Sequence, residues 1–198
     1  LRPSGSSGLL VTHIDGFRDY QLNHAWLWEH QALIKARPVF GENVKNACFE
    51  DIRREVLTMA RKPAELRLGV LDMRAKINES LYTSQAGVFD LKYSPGAMVD
   101  IEFLVQYLVL RYGRYVPALL QWTDVVRQIQ ELNHAQILTD EMAHILKRAY
   151  LLYRATGHKL SLQEKPKQVE DNRFDVLRQG VEGIWRGIFN SIDYISVV

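Results

Sequence analysis

The run IEFLVQYLVL at 101–110 restricts the fold more than any other stretch of this chain. As a helix it is apolar around nearly its whole circumference, which excludes a place on the surface. It also carries Glu102 and Gln106 and is too short to span a bilayer. A helix from about 98 to 112, enclosed on several sides by other helices, meets both conditions. The remaining sequence supplies those neighbours. Asp15 is suited to cap a first helix reaching Asn23, and HAWLWEHQALIKAR predicts a second over 24–37, stopped by Pro38. Residues 43–60 repeat Phe49, Ile52, Val56 and Met59 at helical steps. A fourth helix starts at Pro63, with Leu66, Val70, Met73 and Ile77 on one stripe and Arg67, Arg74, Lys76 and Glu79 away from it. A helix over about 124–133, a long one opened by Thr139 or Asp140, and a last one in FDVLRQGVEGIWRGIFNSI complete the set.

Two segments break the helical pattern. LRPSGSSGLLV at 1–11 predicts a turn followed by a short strand, since Pro3 fixes one backbone angle while Gly5 and Gly8 permit unusual ones. TSQAGVFDLKYSPGAM combines an extended VFDLKY with a Pro95-Gly96 turn. The expected fold class is therefore all-α: a compact helical bundle with a short N-terminal strand and turn. With 47% hydrophobic residues, nine Tyr and four Trp, 198 residues can bury a substantial core. The 25 basic residues are interspersed among 23 acidic ones, so no concentrated positive face for nucleic acid is expected. The single cysteine, Cys48, excludes an internal disulfide and is expected to be a buried thiol, in keeping with a reducing, cytoplasmic setting. No stretch is long and apolar enough to span a membrane, and the start at Leu1 suggests a natural protein that extends upstream.

For chemistry, the opening loop is the clearest local signal. Ser4, Gly5, Ser7 and Gly8 offer backbone N–H groups and hydroxyls that can surround phosphate oxygens, and Arg2 can add paired charge-assisted bonds. The Walker A pattern is absent, and a plain surface turn is the competing reading. In WEHQALIKAR, Lys35 and Arg37 cannot share a helical face at two-residue spacing, although either could point back toward the loop. Packing of Trp26, Leu33 and Ile34 with solvated charges is the alternative there. In DLKYSPGAMVDIEF, Asp100 falls in the first turn of a helix, and Glu102 needs a cationic partner if buried. Two carboxylates two residues apart on a helix diverge by about 200°, which argues against a self-contained metal site. Histidines 13, 24, 30, 134, 144 and 158 lack HExxH spacing, and Ser4, Ser6 and Ser7 have no evident base. No catalytic set and no metal site emerges. Nucleotidyl transfer needs magnesium-binding carboxylates, a phosphate-receiving turn and cations for the leaving pyrophosphate; the sequence has versions of the last two only.

LRPSGSSGLLV, DYQLNHAWLWEHQALIKAR, GAMVDIEFLVQYLVLRYG, QWTDVVRQIQEL and YLLYRATGHKLSLQE together resemble the carboxyl-terminal part of the bifunctional glutamine synthetase adenylyltransferases (glutamate-ammonia-ligase adenylyltransferases). LRPSG and WEHQAL resemble the half that attaches AMP from ATP to a tyrosine of glutamine synthetase, whereas the deadenylylating half more typically has LRPFG and WERYA. The resemblance implies ATP and Mg²⁺ as cofactors of the full-length enzyme, with the metal carboxylates in a GSDxD motif and a strand Asp upstream of Leu1. It implies that 1–12 is a remnant of the catalytic domain, that 13–198 is the helical domain, and that the fragment alone is inactive. Arg2, Ser4, Gly5, Ser7 and Gly8 would line the nucleotide site, with Lys35, Arg37 and Lys92 as further candidates. Asp100 and Glu102 would brace the cleft through bonds to the cationic helix containing Arg37. Glutamine synthetase, the PII signalling protein and the effector glutamine are the implied partners, with no role for nucleic acid or membrane. One departure is Ala97, where the family usually has a second glycine. The competing reading is a non-catalytic docking module for glutamine synthetase or a PII-type regulator, built on aromatics such as Tyr112, Tyr115, Trp122 and Trp185.

Overall fold

The computed structural model describes residue 8 and residues 10–41 and 43–190, without the side chains of 43–46 and 171. Every residue from 104 to 110 is buried, as the apolar run requires. The helix that carries them, α5 (Met98–Tyr112), is surrounded by α2 (Leu27–Ile34), α4 (Pro63–Leu81), α6 (Val125–His134), α7 (Asp140–Leu162) and α8 (Asp175–Asn190). α1 (Ile14–Asn23) and α3 (Asn43–Leu57) pack on each other, and α3 also packs on α2. This is the all-α bundle that the sequence predicts. The polar Gln106 is accommodated inside it because Gln31 of α2 donates to its side-chain oxygen at 3.0 Å. Among the described residues, no helix is long and apolar enough to cross a membrane.

Helix ends follow from local chemistry and from arginines distant in sequence. His13, not Asp15, caps α1: its Nδ1 accepts from the Asp15 N–H at 3.4 Å, and Asp15 occupies the first turn. α2 starts later than expected because the Glu29 carboxylate accepts from the Trp26 N–H at 2.9 Å and from the Tyr20 hydroxyl at 3.0 Å. It ends earlier because Arg53 Nε and Nη2 occupy the carbonyls of Leu33 and Ile34. α3 stops at Leu57, where Arg61 donates to the carbonyls of Val56, Leu57 and Met59. Thr139 caps α7 by accepting from the Met142 N–H at 3.2 Å, and Asp124 caps α6 through Arg127 N–H at 3.0 Å.

The extended segment after α4 is short. β1 (Val88–Asp90) pairs antiparallel with β2 (Gln168–Glu170), with Phe89 opposite Val169. The strand ends where the Asp90 carboxylate accepts from the N–H groups of Lys92 and Tyr93 and turns the chain. Phe89 is buried, edge-on to Tyr153 at 5.4 Å, so the clasp ties the α4–α5 connection to α7. The strand expected over 9–11 is not formed at Leu10 and Val11, which are exposed bends; Leu9 lies outside the described residues. A strand needs a partner for its backbone groups, and none of the described chain pairs there. Cys48 also departs from expectation: it is exposed on α3 rather than buried.

Candidate functional site

The end of α2 makes the most suggestive arrangement. Lys35 and Arg37 lie two residues apart, which on one helix would separate them. The helix stops at Ile34, however, and beyond it the chain brings both residues to the wall of one groove of about 490 Å³. Thr12, Ile14 and Phe17 form the α1 side, and Val39 and Phe49 complete the walls, with the Phe17 and Phe49 rings stacked at 5.8 Å. Arg37 over an apolar floor, with the Lys35 ammonium shared with an acid behind it, suits an anionic ligand with a flat apolar part. Gly8 is half-buried and is not part of the groove's lining, which begins at Thr12. Arg2, Ser4, Gly5 and Ser7 lie outside the described residues. Lys92 is not brought to this groove; it sits in the turn after β1, its ammonium 4.7 Å from the Tyr93 ring centre.

Behind the groove, Lys35 Nζ lies 3.0 Å from Glu102 Oε1, and the same oxygen accepts from the Tyr150 hydroxyl at 3.2 Å. Glu102 thus has the cationic partner its half-buried position requires. Burial, and then the neighbouring Glu102 carboxylate, push the Tyr150 hydroxyl up to about 12, so it remains a hydrogen-bond donor at neutral pH. Asp100 faces the other way, as the 200° divergence dictates. It takes the guanidinium of Arg74 from α4 on one oxygen and the Gly96 N–H at 2.7 Å on the other. Burial pushes the Asp100 carboxyl above the usual carboxylate range, against the pull of Arg74 and the Gly96 N–H. The bracing expected of both acids toward the Arg37 side is therefore shared: Glu102 holds Lys35, while Asp100 holds α4. Arg74, expected away from the apolar stripe, is buried with Leu66 and Val70, at four-residue steps along α4.

Among the described residues no three His, Cys, Asp or Glu side chains are placed to hold a metal. Asp100 and Glu102 each already face a cation, and they point apart. The described residues do not fit a magnesium site. His30 is structural: its Nε2 lies 2.9 Å from the Gln21 carbonyl oxygen, and Arg61 Nη2 lies 3.2 Å from its Nδ1. Since arginine can only donate, Nδ1 is the acceptor and the ring is neutral. Burial lowers its pKa from the usual histidine value, and Arg61 lowers it further. Of the aromatics considered for docking, Tyr112 is buried, Trp122 and Trp185 are half-buried and Tyr115 is exposed.

The arginines at positions 53, 61 and 74 carry the frame of this site, and no local pattern marks them. Arg53 reaches carbonyls at 33, 34 and 120, so its partners lie far off in sequence. The indirect signal is that α2 and α3 end without a glycine, which leaves carbonyls in need of a donor from elsewhere.

Comparison with known families divides the chain in two. Residues 1–52, containing the opening loop and the Lys35–Arg37 groove, match the model described as glutamate-ammonia ligase adenylyltransferase. Residues 71–176, from within α4 to the start of α8, match the model described as GlnD PII-uridylyltransferase. The sequence motifs alone point to the first group; the longer match is to the second. With more than half of its length covered by that second model, the chain belongs to the GlnD PII-uridylyltransferase family of nucleotidyltransferase-related proteins, and its first 52 residues link it to the glutamate-ammonia ligase adenylyltransferases.

Proposed function

We propose that this chain is the helical part of an enzyme that transfers AMP from ATP to a tyrosine of glutamine synthetase and so regulates nitrogen assimilation. The observation that carries this reading is the convergence of Lys35 and Arg37 in one groove, within the stretch that matches the adenylyltransferase model. In that reading residues 1–12 are the edge of the catalytic domain and 13–198 the helical domain of the adenylylating, carboxyl-terminal half. The tyrosine oxygen attacks the α-phosphorus of ATP, the bond to the bridging oxygen breaks, and pyrophosphate leaves. Arg2 and the 4–8 loop hold the triphosphate, while Lys35 and Arg37 offset charge on the departing pyrophosphate. Lys35 is aimed by Glu102, which is in turn held by Tyr150. Magnesium ligands come from outside these residues, so the 198-residue chain alone does not catalyse the transfer. Glutamine synthetase, PII and glutamine are the partners of the whole enzyme.

A second reading is favoured by the longer match: the body formed by α4 to α7 serves as a docking module for a PII-type protein. Incubating the whole enzyme with labelled ATP or UTP, and with glutamine synthetase or PII, tests the first reading. The adenylyltransferase reading expects AMP on glutamine synthetase, and a loss of about tenfold to a hundredfold in kcat/KM for Lys35→Met and Arg37→Met. UMP on PII, or full activity in both variants, would overturn it, as would transfer by the 198-residue chain alone.

A further inference from the structure

On the opposite side of α5 from the Lys35 groove, a second cavity of about 370 Å³ opens between α4, α5 and α8. That volume is enough for a small ligand of roughly ten to fifteen heavy atoms. Its apolar walls are Leu71 and Ala75 of α4, Pro95 of the turn and Trp185 of α8, whose ring is steadied by Phe189 at 4.3 Å. Arg74 forms part of the same wall and is 8% exposed. Its Nε donates to Asp100 and its Nη2 to the Tyr93 carbonyl, but its buried Nη1 has no partner. An unmet buried donor of a charged group costs stability, and an acceptor oxygen would meet it.

The wall carries two cations, Arg74 and Arg186, and two acids, Asp100 and Glu182. Asp100 is paired with Arg74, and Glu182 faces Arg178 with Nε 3.6 Å from Oε1, an arginine it shares with Asp175. Arg186, also in the wall, donates from Nε to the Glu182 carbonyl at 3.3 Å and, among the described residues, has no carboxylate within ion-pair distance. Among the described residues Arg186 is therefore the cation of the wall that stands outside an ion pair, beside the Asn78 side-chain amide and a flat indole surface. We propose that this cavity is a binding site for a small carboxylate with a flat apolar body, its ring against Trp185 and its oxygens toward Arg186 and Asn78. The site stands apart from the groove above, and its assignment does not depend on the reaction proposed there.

Phenylacetate is the probe, with 2-phenylethanol and phenethylamine as neutral and cationic counterparts of similar shape. In ¹H–¹⁵N spectra each of the four Trp gives one indole N–H signal, and Trp185→Phe identifies its own by loss. Phenylacetate is expected to shift the Trp185 signal saturably, with a Kd at or below about 1 mM for so small a ligand. The neutral and cationic probes bind at least about tenfold more weakly, and Arg186→Gln weakens phenylacetate by about tenfold, as the loss of a charge-assisted bond predicts. The probe series on the unaltered chain tests the claim even if the variant misfolds. No saturable shift at Trp185, equal binding of all three probes, or parallel shifts at every tryptophan would overturn it.

Discussion

Arg53 shows at the scale of one residue how far a charged side chain can act as an internal cap. Three buried carbonyls, of Leu33, Ile34 and Leu120, depend on its guanidinium at distances of 2.7 to 3.1 Å. Arg53→Ala should lower the urea-unfolding free energy by at least about 3 kcal/mol, and Arg53→Lys should restore less than half, because one ammonium cannot span three carbonyls in a fixed plane. Equal stability of the Lys variant and the parent would refute the cap. The glycines give a finer contrast. Gly96 and Gly87 both have positive φ, at 75° and 74°, but a Cβ at Gly96 would meet the Arg178 carbonyl oxygen at 2.7 Å while one at Gly87 meets nothing within 4 Å. Gly87→Ala should cost about 1 kcal/mol and Gly96→Ala about 3, measured by the same unfolding experiment. Equal costs would remove the steric argument. Ala97, where the family usually has a second glycine, has φ −86° and ψ −171° and is buried. These are angles that any residue adopts, so the missing glycine leaves no strain. The Pro-Gly turn could be read from sequence. The close approach that makes only one of these two glycines irreplaceable on steric grounds could not, since Arg178 lies 82 residues away in the chain.

Helices with strong periodic or apolar character were legible, down to the ends of α1 at Asn23 and α5 at Tyr112; the points where α2 and α3 stop were not. α5 follows directly from the apolar run, and its acids diverge as helical geometry demands. The convergence of Lys35 and Arg37 could not be anticipated, because it depends on α2 ending at Ile34 under the grip of Arg53. The same is true of the junction of α1, α2 and α3, where His30 lies between the Gln21 carbonyl and Arg61. Arg61 itself is lowered to about 10 by burial and stays charged at neutral pH, so protonating His30 would place two cations 3.2 Å apart. The folded-state pKa of His30 lies below its unfolded value, so below an ordinary histidine pKa of about 6.5 the unfolded chain binds the proton more readily. Its contribution to stability is thus complete above that value and is lost as pH falls toward the depressed folded pKa. His30→Gln keeps an acceptor and a donor without the titration. The variant should therefore show a smaller fall in urea midpoint than the parent between about pH 7.5 and pH 5.5. An identical fall in both would show that His30 is not the group responsible.

The two family matches could suggest two loosely joined pieces, but the bonds across α5 argue for one cooperative body. Glu102 reaches the end of α2 and Asp100 reaches α4, while the β1–β2 clasp joins the α4–α5 connection to the segment between α7 and α8. Gln31 of α2 adds a buried bond to the middle of α5. A defect in the clasp should therefore be felt at α2, although the clasp touches no α2 residue through its ring contacts. Phe89 is the place to make it: the ring is 1% exposed, edge-on to Tyr153, which in turn meets Phe174 at 5.4 Å. Phe89→Ala should cost about 3 to 5 kcal/mol through the cavity it leaves. With fluorinated tryptophan, Trp28 on α2 and Trp185 on α8 report the two sides of α5 separately within one titration. If the body is cooperative, both signals move to the same lowered midpoint in Phe89→Ala, since the energy lost at the clasp is lost by the whole. A Trp28 midpoint that stays at the parent value while that of Trp185 falls would mean that the stretch matching the adenylyltransferases folds independently of the helices matching the uridylyltransferases.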